Sequence, residues 1–161
     1  MHATGRWNAN VTIWVIGLLA GPGLLADQAA AGGQLATPPN ATWKSECGSC
    51  HVAYPPQLLP RQTWQRLMSG LERHFGTDAS VEPAAAAEIE AYLERHSSSG
   101  RAAGPAGNLR ITQSAWFVHE HDDVPSSSWS LPAVGSASNC AACHVTAEQG
   151  DFRKRNLRVP R

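Results

Sequence analysis

Cysteine is scarce in this chain of 161 residues, which contains only four, and net charge is absent. The 13 basic residues are balanced by 13 acidic residues, whereas a nucleic-acid-binding protein normally carries a strongly basic surface. This balance argues against nucleic acid as a partner. The four cysteines occur as two closely spaced pairs, and if both pairs serve the same purpose, none is left for a disulfide bond.

A long uninterrupted hydrophobic run is also missing. The most apolar stretch, residues 11–25, is broken by Gly-Pro-Gly and is too short for a comfortable membrane span. It follows Arg6 and precedes the small residues 29–31, which is the arrangement of a secretory signal peptide with an A-x-A cleavage site. We therefore predict that residues 1–31 are a signal peptide, with an uncleaved membrane anchor as the alternative.

The two cysteine pairs share one pattern, C-x-x-C-H, at residues 47–51 and again at residues 140–144. Two cysteines at this spacing lie one helical turn apart, so each can add to one vinyl group of the same porphyrin. The histidine that follows then lies beneath the iron and supplies its proximal ligand. The sequence thus predicts two covalently attached haem c groups. The residues involved are Cys47, Cys50, Cys140 and Cys143 as thioether attachments and His51 and His144 as proximal iron ligands.

A structural zinc site is the alternative use for the four cysteines. Zinc is held in such sites by four cysteines or by a mixture of cysteine and histidine. A zinc site would not require a histidine directly after the second cysteine of both pairs. Haem c is attached outside the cytoplasm in bacteria, so the signal peptide agrees with the haem interpretation and predicts a periplasmic protein.

The rest of the sequence predicts a mainly α protein, built as two small haem domains with short helices and long irregular loops. The first domain is expected at residues 32–96, a linker rich in Ser, Gly and Ala at residues 97–108, and the second domain at residues 109–161. Pieces of this size are marginal on their own. We therefore expect the porphyrins to form part of the core and the apo chain to be poorly folded.

Four helices are predicted from hydrophobic periodicity and from capping residues. The second of them is expected to be capped within residues 77–80 and the third by Thr112. The fourth is expected to begin at the second cysteine motif. Their approximate bounds are residues 60–75, 83–96, 113–121 and 140–148.

A haem iron with one histidine needs a sixth ligand for full coordination. For the first haem the candidate is His74, on the rim of the apolar face of the first predicted helix, with His96 and Met68 as alternatives. For the second haem both His119 and His121 lie on the third predicted helix. Residues two apart on a helix point about 200° apart, and periodicity does not separate these two.

The order of these elements resembles the bacterial dihaem cytochrome c family, whose members donate electrons to a small, high-spin, oxygen-binding monohaem cytochrome c. The segments that carry the resemblance are residues 46–56, 71–80, 120–122 and 139–144. The resemblance implies two axial histidines on each iron, with His51 paired with His74 and His144 paired with His121. It also implies a small monohaem cytochrome c as electron acceptor and a membrane cytochrome b as candidate donor.

Two axial histidines leave no open position on an iron, which suits electron transfer better than catalysis. A methionine ligand would raise the reduction potential, and Met68 is the only methionine left after signal-peptide cleavage. We therefore expect an electron carrier with two low-potential haems, no small-molecule substrate and no enzymatic activity. The alternative is a small haem enzyme, or a gas-binding or sensor protein, with one displaceable axial ligand, which carbon monoxide binding would reveal.

Overall fold

The computed structural model describes Leu35, residues 37–98 and residues 108–160. The predicted signal peptide and most of the predicted linker lie outside these residues. The described residues form four α-helices and only isolated β-bridges, so the prediction of a mainly α fold is confirmed. The helices are α1 (Ala41–Gly48), α2 (Arg61–Met68), α3 (Pro83–His96) and α4 (Ala115–Glu120).

Short 3-10 turns connect these helices and make up much of the second half of the chain. After α4 the described residues contain no further α-helix, which agrees with the expected long irregular loops. None of the helices formed by the described residues has the length and apolar character that a membrane crossing requires. The 3-10 turns are Pro56–Leu58, Leu71–Arg73, Ile111–Gln113, Ser126–Ser130, Cys140–Ala142, Ala147–Gln149 and Lys154–Asn156.

Helix α2 ends at Met68 rather than near residue 75 as predicted. Ser69 and Gly70 follow it, and the Ser69 hydroxyl donates to the Arg66 carbonyl, an acceptor that a longer helix would use for its own backbone. Glycine inside a helix destabilises it by about 0.5–1 kcal/mol relative to alanine. The chain therefore leaves the helix here and places His74 in a turn.

The two predicted helix caps are wrong, because other residues begin α3 and α4. Helix α3 starts at Pro83, whose missing N–H is not needed in the first turn, and Asp78 instead accepts the Ser80 N–H at 2.9 Å in a local turn. Helix α4 is capped by Ser114, whose hydroxyl accepts the Phe117 N–H at 3.1 Å. Thr112 lies in the preceding 3-10 turn.

The predicted helix at residues 140–148 is also wrong, because the segment forms two separate 3-10 turns. Between the turns the backbone pairs with the C-terminal segment. His144 forms a β-bridge with Leu157, and the Arg158 N–H donates to the Cys143 carbonyl at 2.9 Å. These long-range bonds compete with the continuation of a helix.

The hydrophobic core forms where α3 packs against α1 and α2. Burying one such side chain fully contributes about 1.5–3 kcal/mol. One member of the core, Ile111, lies beyond the predicted linker, so the core of the first half includes a residue of the second half. The buried cluster consists of Leu58, Leu59, Trp64, Leu67, Ile89, Tyr92, Leu93 and Ile111.

The N-terminal end of the described chain contacts the second half at Gly150. The Leu35 N–H donates to the Gly150 carbonyl at 2.8 Å. Gly150 has a φ of +69°, and a Cβ atom there would lie 2.9 Å from the Leu35 carbonyl oxygen. Glycine is therefore needed at this position both for its backbone conformation and for the close approach of residue 35.

Candidate haem-binding sites

The first candidate site is formed by the rings of His51 and His74. Their centres lie 6.2 Å apart, and their planes are inclined by 20°. Two imidazoles that bind one metal ion from opposite sides, with metal–nitrogen bonds of about 2 Å, place their ring centres about 6 Å apart. The turn after α2 thus brings His74 to the distance that an iron atom between the two rings requires.

The orientation of His51 is set by its neighbours. Its Nδ1 lies 2.7 Å from the Val52 carbonyl oxygen, and because a carbonyl can only accept, Nδ1 carries the proton. Nε2 is then left with its lone pair for a metal. The ring of Tyr54 stacks on His51, with centres 4.5 Å apart and planes inclined by 17°.

His74 has the properties of a neutral, metal-binding imidazole. Burial lowers its pKa, and the charges of His51 and Arg110 lower it further. Its Nδ1 is buried without a hydrogen-bond partner among the described residues. The neutral form is the one that binds a metal.

A cavity of about 480 Å³ lies between the rings of His51 and His74 and the first cysteine pair. Both Cys47 and Cys50 line it, so the attachment residues and the two histidines face one space. Met68 also lines this cavity and packs against the core. Most of the other lining residues are apolar, among them Trp64, Leu67, Leu71, Val81, Ile89 and Leu93.

The second candidate site is formed by His121 and His144, whose ring centres lie 6.1 Å apart with planes inclined by 79°. His121 is the residue that follows α4, and its Nδ1 lies 2.8 Å from the Phe117 carbonyl oxygen. This contact again places the proton on Nδ1 and leaves Nε2 for a metal. The spacing of the two rings matches that of the first site.

Aromatic side chains surround the second pair of histidines. Phe117 stacks on His121 with ring centres 4.1 Å apart, and Trp129 lies 5.8 Å from the same ring. Phe152 contacts His144 edge to face at 5.2 Å. Burial and the nearby His121 lower the pKa of His144, whereas the Phe152 backbone acts in the opposite direction. Among the described residues, the Nδ1 atom of His144 has no hydrogen bond of normal geometry.

The other histidines considered from the sequence lie elsewhere. His119 is exposed in the last turn of α4, and the ring of His96 packs against Tyr92 at 5.0 Å. Neither residue lines the first cavity. The geometry therefore brings His74 and His121, rather than His96 and His119, to the histidines of the two C-x-x-C-H motifs.

All four cysteines are free of disulfide bonds. Burial raises the pKa of Cys47 to about 11, with a further contribution from Glu46, and burial also raises the pKa of Cys140 to about 11. These surroundings disfavour a thiolate, but a thioether carries no charge and suits them. The residues present at both motifs therefore fit covalent haem.

A second cavity, of about 730 Å³, lies between the two motifs. Cys50 and His51 of the first motif line it, as does Cys140 of the second. The attachment points of the two motifs thus face a common space.

Several side chains at these sites were not recognised from the sequence. Trp129 and Phe152 lie in segments without periodicity, and Arg110 reaches the first cavity from beyond the linker. Tyr54 lies three residues after His51 in an apolar, proline-rich loop, and this short separation indicates that it lies near the first motif.

Comparison with known proteins gives one consistent result. A family model described as dihaem cytochrome c matches residues 43–152. A solved diheme cytochrome c from Shewanella baltica is 40% identical, covers 77% of this chain and 95% of its own, and has a TM-score of 0.67. A diheme cytochrome c from Rhodobacter sphaeroides is 39% identical, covers 70% and 96%, and has a TM-score of 0.64. A search of curated proteins finds no significant match.

Proposed function

The chain belongs to the dihaem cytochrome c family, and on that premise we propose that it is a periplasmic electron carrier in which each haem iron is held by two histidines. Membership of the family gives two covalently bound haem c groups and haem-based electron transfer. The ligand pairs, the low potentials, the location and the partners are the proposed part.

In this proposal the first haem is attached to Cys47 and Cys50, and the second to Cys140 and Cys143. His51 and His74 are the axial ligands of the first iron, and His144 and His121 are those of the second. The observation that carries the proposal is the separation of the ring centres, 6.2 Å in one pair and 6.1 Å in the other. Each value matches the distance of about 6 Å expected for two imidazoles on one metal ion.

The haem iron supplies a one-electron couple, and the chain determines what that couple can do. With His51 and His74 on one iron and His144 and His121 on the other, no free position would remain for a substrate or a gas. The carbonyls of Val52 and Phe117 accept the Nδ1 protons of His51 and His121, which orients the two rings and leaves their Nε2 atoms for iron. Imidazole rather than methionine on both irons supports low potentials.

The proposed partners follow from the family resemblance. We propose a small monohaem cytochrome c as the electron acceptor and a membrane cytochrome b as the donor. The predicted signal peptide at residues 1–31 supports a periplasmic location.

The proposal is tested by counting haem and by removing each distal ligand. The wild-type protein should contain two haems per chain, measured as the pyridine haemochrome. His74→Ala and His121→Ala should each convert one haem to a high-spin spectrum. The matched controls His96→Ala and His119→Ala should leave both haems low-spin. If neither distal variant gives a high-spin signal, or if a control does, the ligand assignment is wrong.

A further inference from the structure

We propose that Arg110 raises the reduction potential of the first haem and that Phe75 holds Arg110 in place. This inference rests on the proposed ligand pair of the first haem. Arg110 lies just beyond the predicted linker, in the second half of the chain, yet it lines the first cavity. Its guanidinium carbon lies 4.1 Å from the centre of the Phe75 ring, within the range of a cation–π contact.

Phe75 has a left-handed backbone conformation, which is unusual for a residue other than glycine. Its φ is +52°, and it is the one non-glycine residue with a positive φ in the described part of the chain. Such a conformation is strained for a bulky residue and persists only where the surroundings hold it. Phe75 directly follows His74, and the two ring centres lie 4.8 Å apart. The strained turn thus links the distal histidine to the stacked arginine.

The Phe75 ring is not held by burial in the core. The residue is 43% exposed, which is high for a phenylalanine. One of its faces is instead covered by the Arg110 guanidinium. The stacked pair therefore forms part of the cavity wall, with one member from each half of the chain.

Arg110 supplies the positive charge of the cavity wall. Among the described lining residues the charged side chains are Glu46, Asp78 and Arg110, so Arg110 is the one lysine or arginine present. A guanidinium remains charged at every accessible pH. Reduction lowers the charge of a haem by one unit, so a nearby cation stabilises the reduced state relative to the oxidised state, and a nearby carboxylate does the opposite.

The test is a redox titration of the holoprotein in which the two haems are followed separately by electron paramagnetic resonance. Arg110→Gln should lower the potential of the first haem and leave that of the second unchanged. We expect a change on the order of threefold to tenfold in the one-electron reduction equilibrium, or about 30–60 mV. Arg110→Lys should retain most of the wild-type potential, because it keeps the charge.

Two further variants separate charge from structure. Asp78→Asn removes a negative charge from the same wall and can keep the turn to Ser80, so it should shift the first potential upwards. Phe75→Leu should shift it downwards, by less than Arg110→Gln, because the cation loses its platform. Arg95→Gln, on the exposed surface of α3, is the control and should change neither potential.

The inference is wrong if Arg110→Gln leaves the first potential unchanged, if it shifts both potentials equally, or if Arg110→Lys has the same effect as Arg110→Gln. Should Arg110→Gln fail to assemble, Arg110→Met removes the charge while keeping an apolar side chain for contact with Phe75. Every variant should keep two low-spin haems. A high-spin haem in the wild-type protein would instead contradict the proposed ligand pairs, so the two failures are distinguishable.

Discussion

The hydroxyl of Tyr54 donates a hydrogen bond of 2.6 Å to the backbone carbonyl of Ser138, which lies 84 residues away. The ring of the same tyrosine stacks on His51. Ser138 lies two residues before Cys140, the first cysteine of the second motif. Burial raises the pKa of Tyr54, so its hydroxyl stays protonated and remains a donor. One side chain therefore connects His51 of the first C-x-x-C-H motif to the segment that leads into the second motif.

Removing this hydroxyl should loosen the contact between the two halves. Tyr54→Phe keeps the stacked ring and loses the donor, which should lower the free energy of unfolding by about 1 kcal/mol in urea titrations. Amide hydrogen exchange should accelerate at residues 138–144. Tyr92→Phe is the matched control, since its hydroxyl bonds to Pro38 within the first half. Unchanged exchange at residues 138–144 in Tyr54→Phe would show that the contact does not hold the halves together.

Asp151 should make the second half sensitive to acid. Its carboxylate accepts from Arg153 and Asn156, and the hydrogen bond from Arg153 lowers the pKa of Asp151 to about 2. Because this pKa is below the unfolded value of about 3.9, the unfolded chain binds more protons. Asp151 therefore stabilises the folded state fully above pH ~4, and this stabilisation is lost as the pH falls towards ~2.

Asp151→Asn should accordingly be less stable than the wild type at neutral pH, and the difference should shrink between pH ~4 and pH ~2. Urea unfolding at a series of pH values measures this difference directly. Asp123→Asn, which changes an exposed carboxylate, serves as the control for general effects of acid on the protein. A difference between Asp151→Asn and wild type that stays constant with pH would contradict the assignment.

If the proposed ligation is right, carbon monoxide should not bind to the reduced wild-type protein, because imidazole would occupy both axial positions of each iron. The absorption spectrum should therefore stay low-spin and unchanged when the gas is added. His74→Ala and His121→Ala should each bind one molecule of carbon monoxide per chain. A large spectral shift in the wild type would favour a gas-binding protein or a small haem enzyme instead.

Loss of the second haem should disorder the second half of the chain. Apart from Ile111, which belongs to the core of the first half, its buried hydrophobic residues among those described are Phe117, Val134 and Ala147. This is too little apolar burial to fix a fold of this size. The double variant Cys140→Ser/Cys143→Ser should keep one haem and show rapid amide exchange at residues 114–160. Protection like that of the wild type would show that the haem is not part of the core.

The sequence predicts the parts of the site that covalent chemistry dictates. The C-x-x-C-H spacing is required by the porphyrin, so the sequence alone predicts which cysteines attach haem and which histidines are proximal ligands. Periodicity leaves His119 and His121 open because it assumes a continuing helix. In the structure α4 ends at Glu120, so His121 no longer follows the helical spacing. Its ring lies beside that of His144.

The contacts that the sequence does not predict join residues far apart in the chain. The C-terminal strand-like pairing of Leu157 with His144 breaks the expected helix at residues 140–148, and nothing in the local propensities of that segment signals it. The stacking of Arg110 on Phe75 is of the same kind. Local periodicity carries no information about such pairs.

The central claim is that two imidazoles hold each iron, and low-temperature electron paramagnetic resonance of the oxidised protein tests it most directly. The ring planes are inclined by 20° at the first site and by 79° at the second. Nearly parallel imidazoles separate the energies of the two iron orbitals that interact with them, whereas nearly perpendicular ones leave these energies almost equal. We predict two low-spin signals of equal intensity and different anisotropy, with no high-spin signal. A high-spin signal that accounts for one iron per chain would contradict the claim.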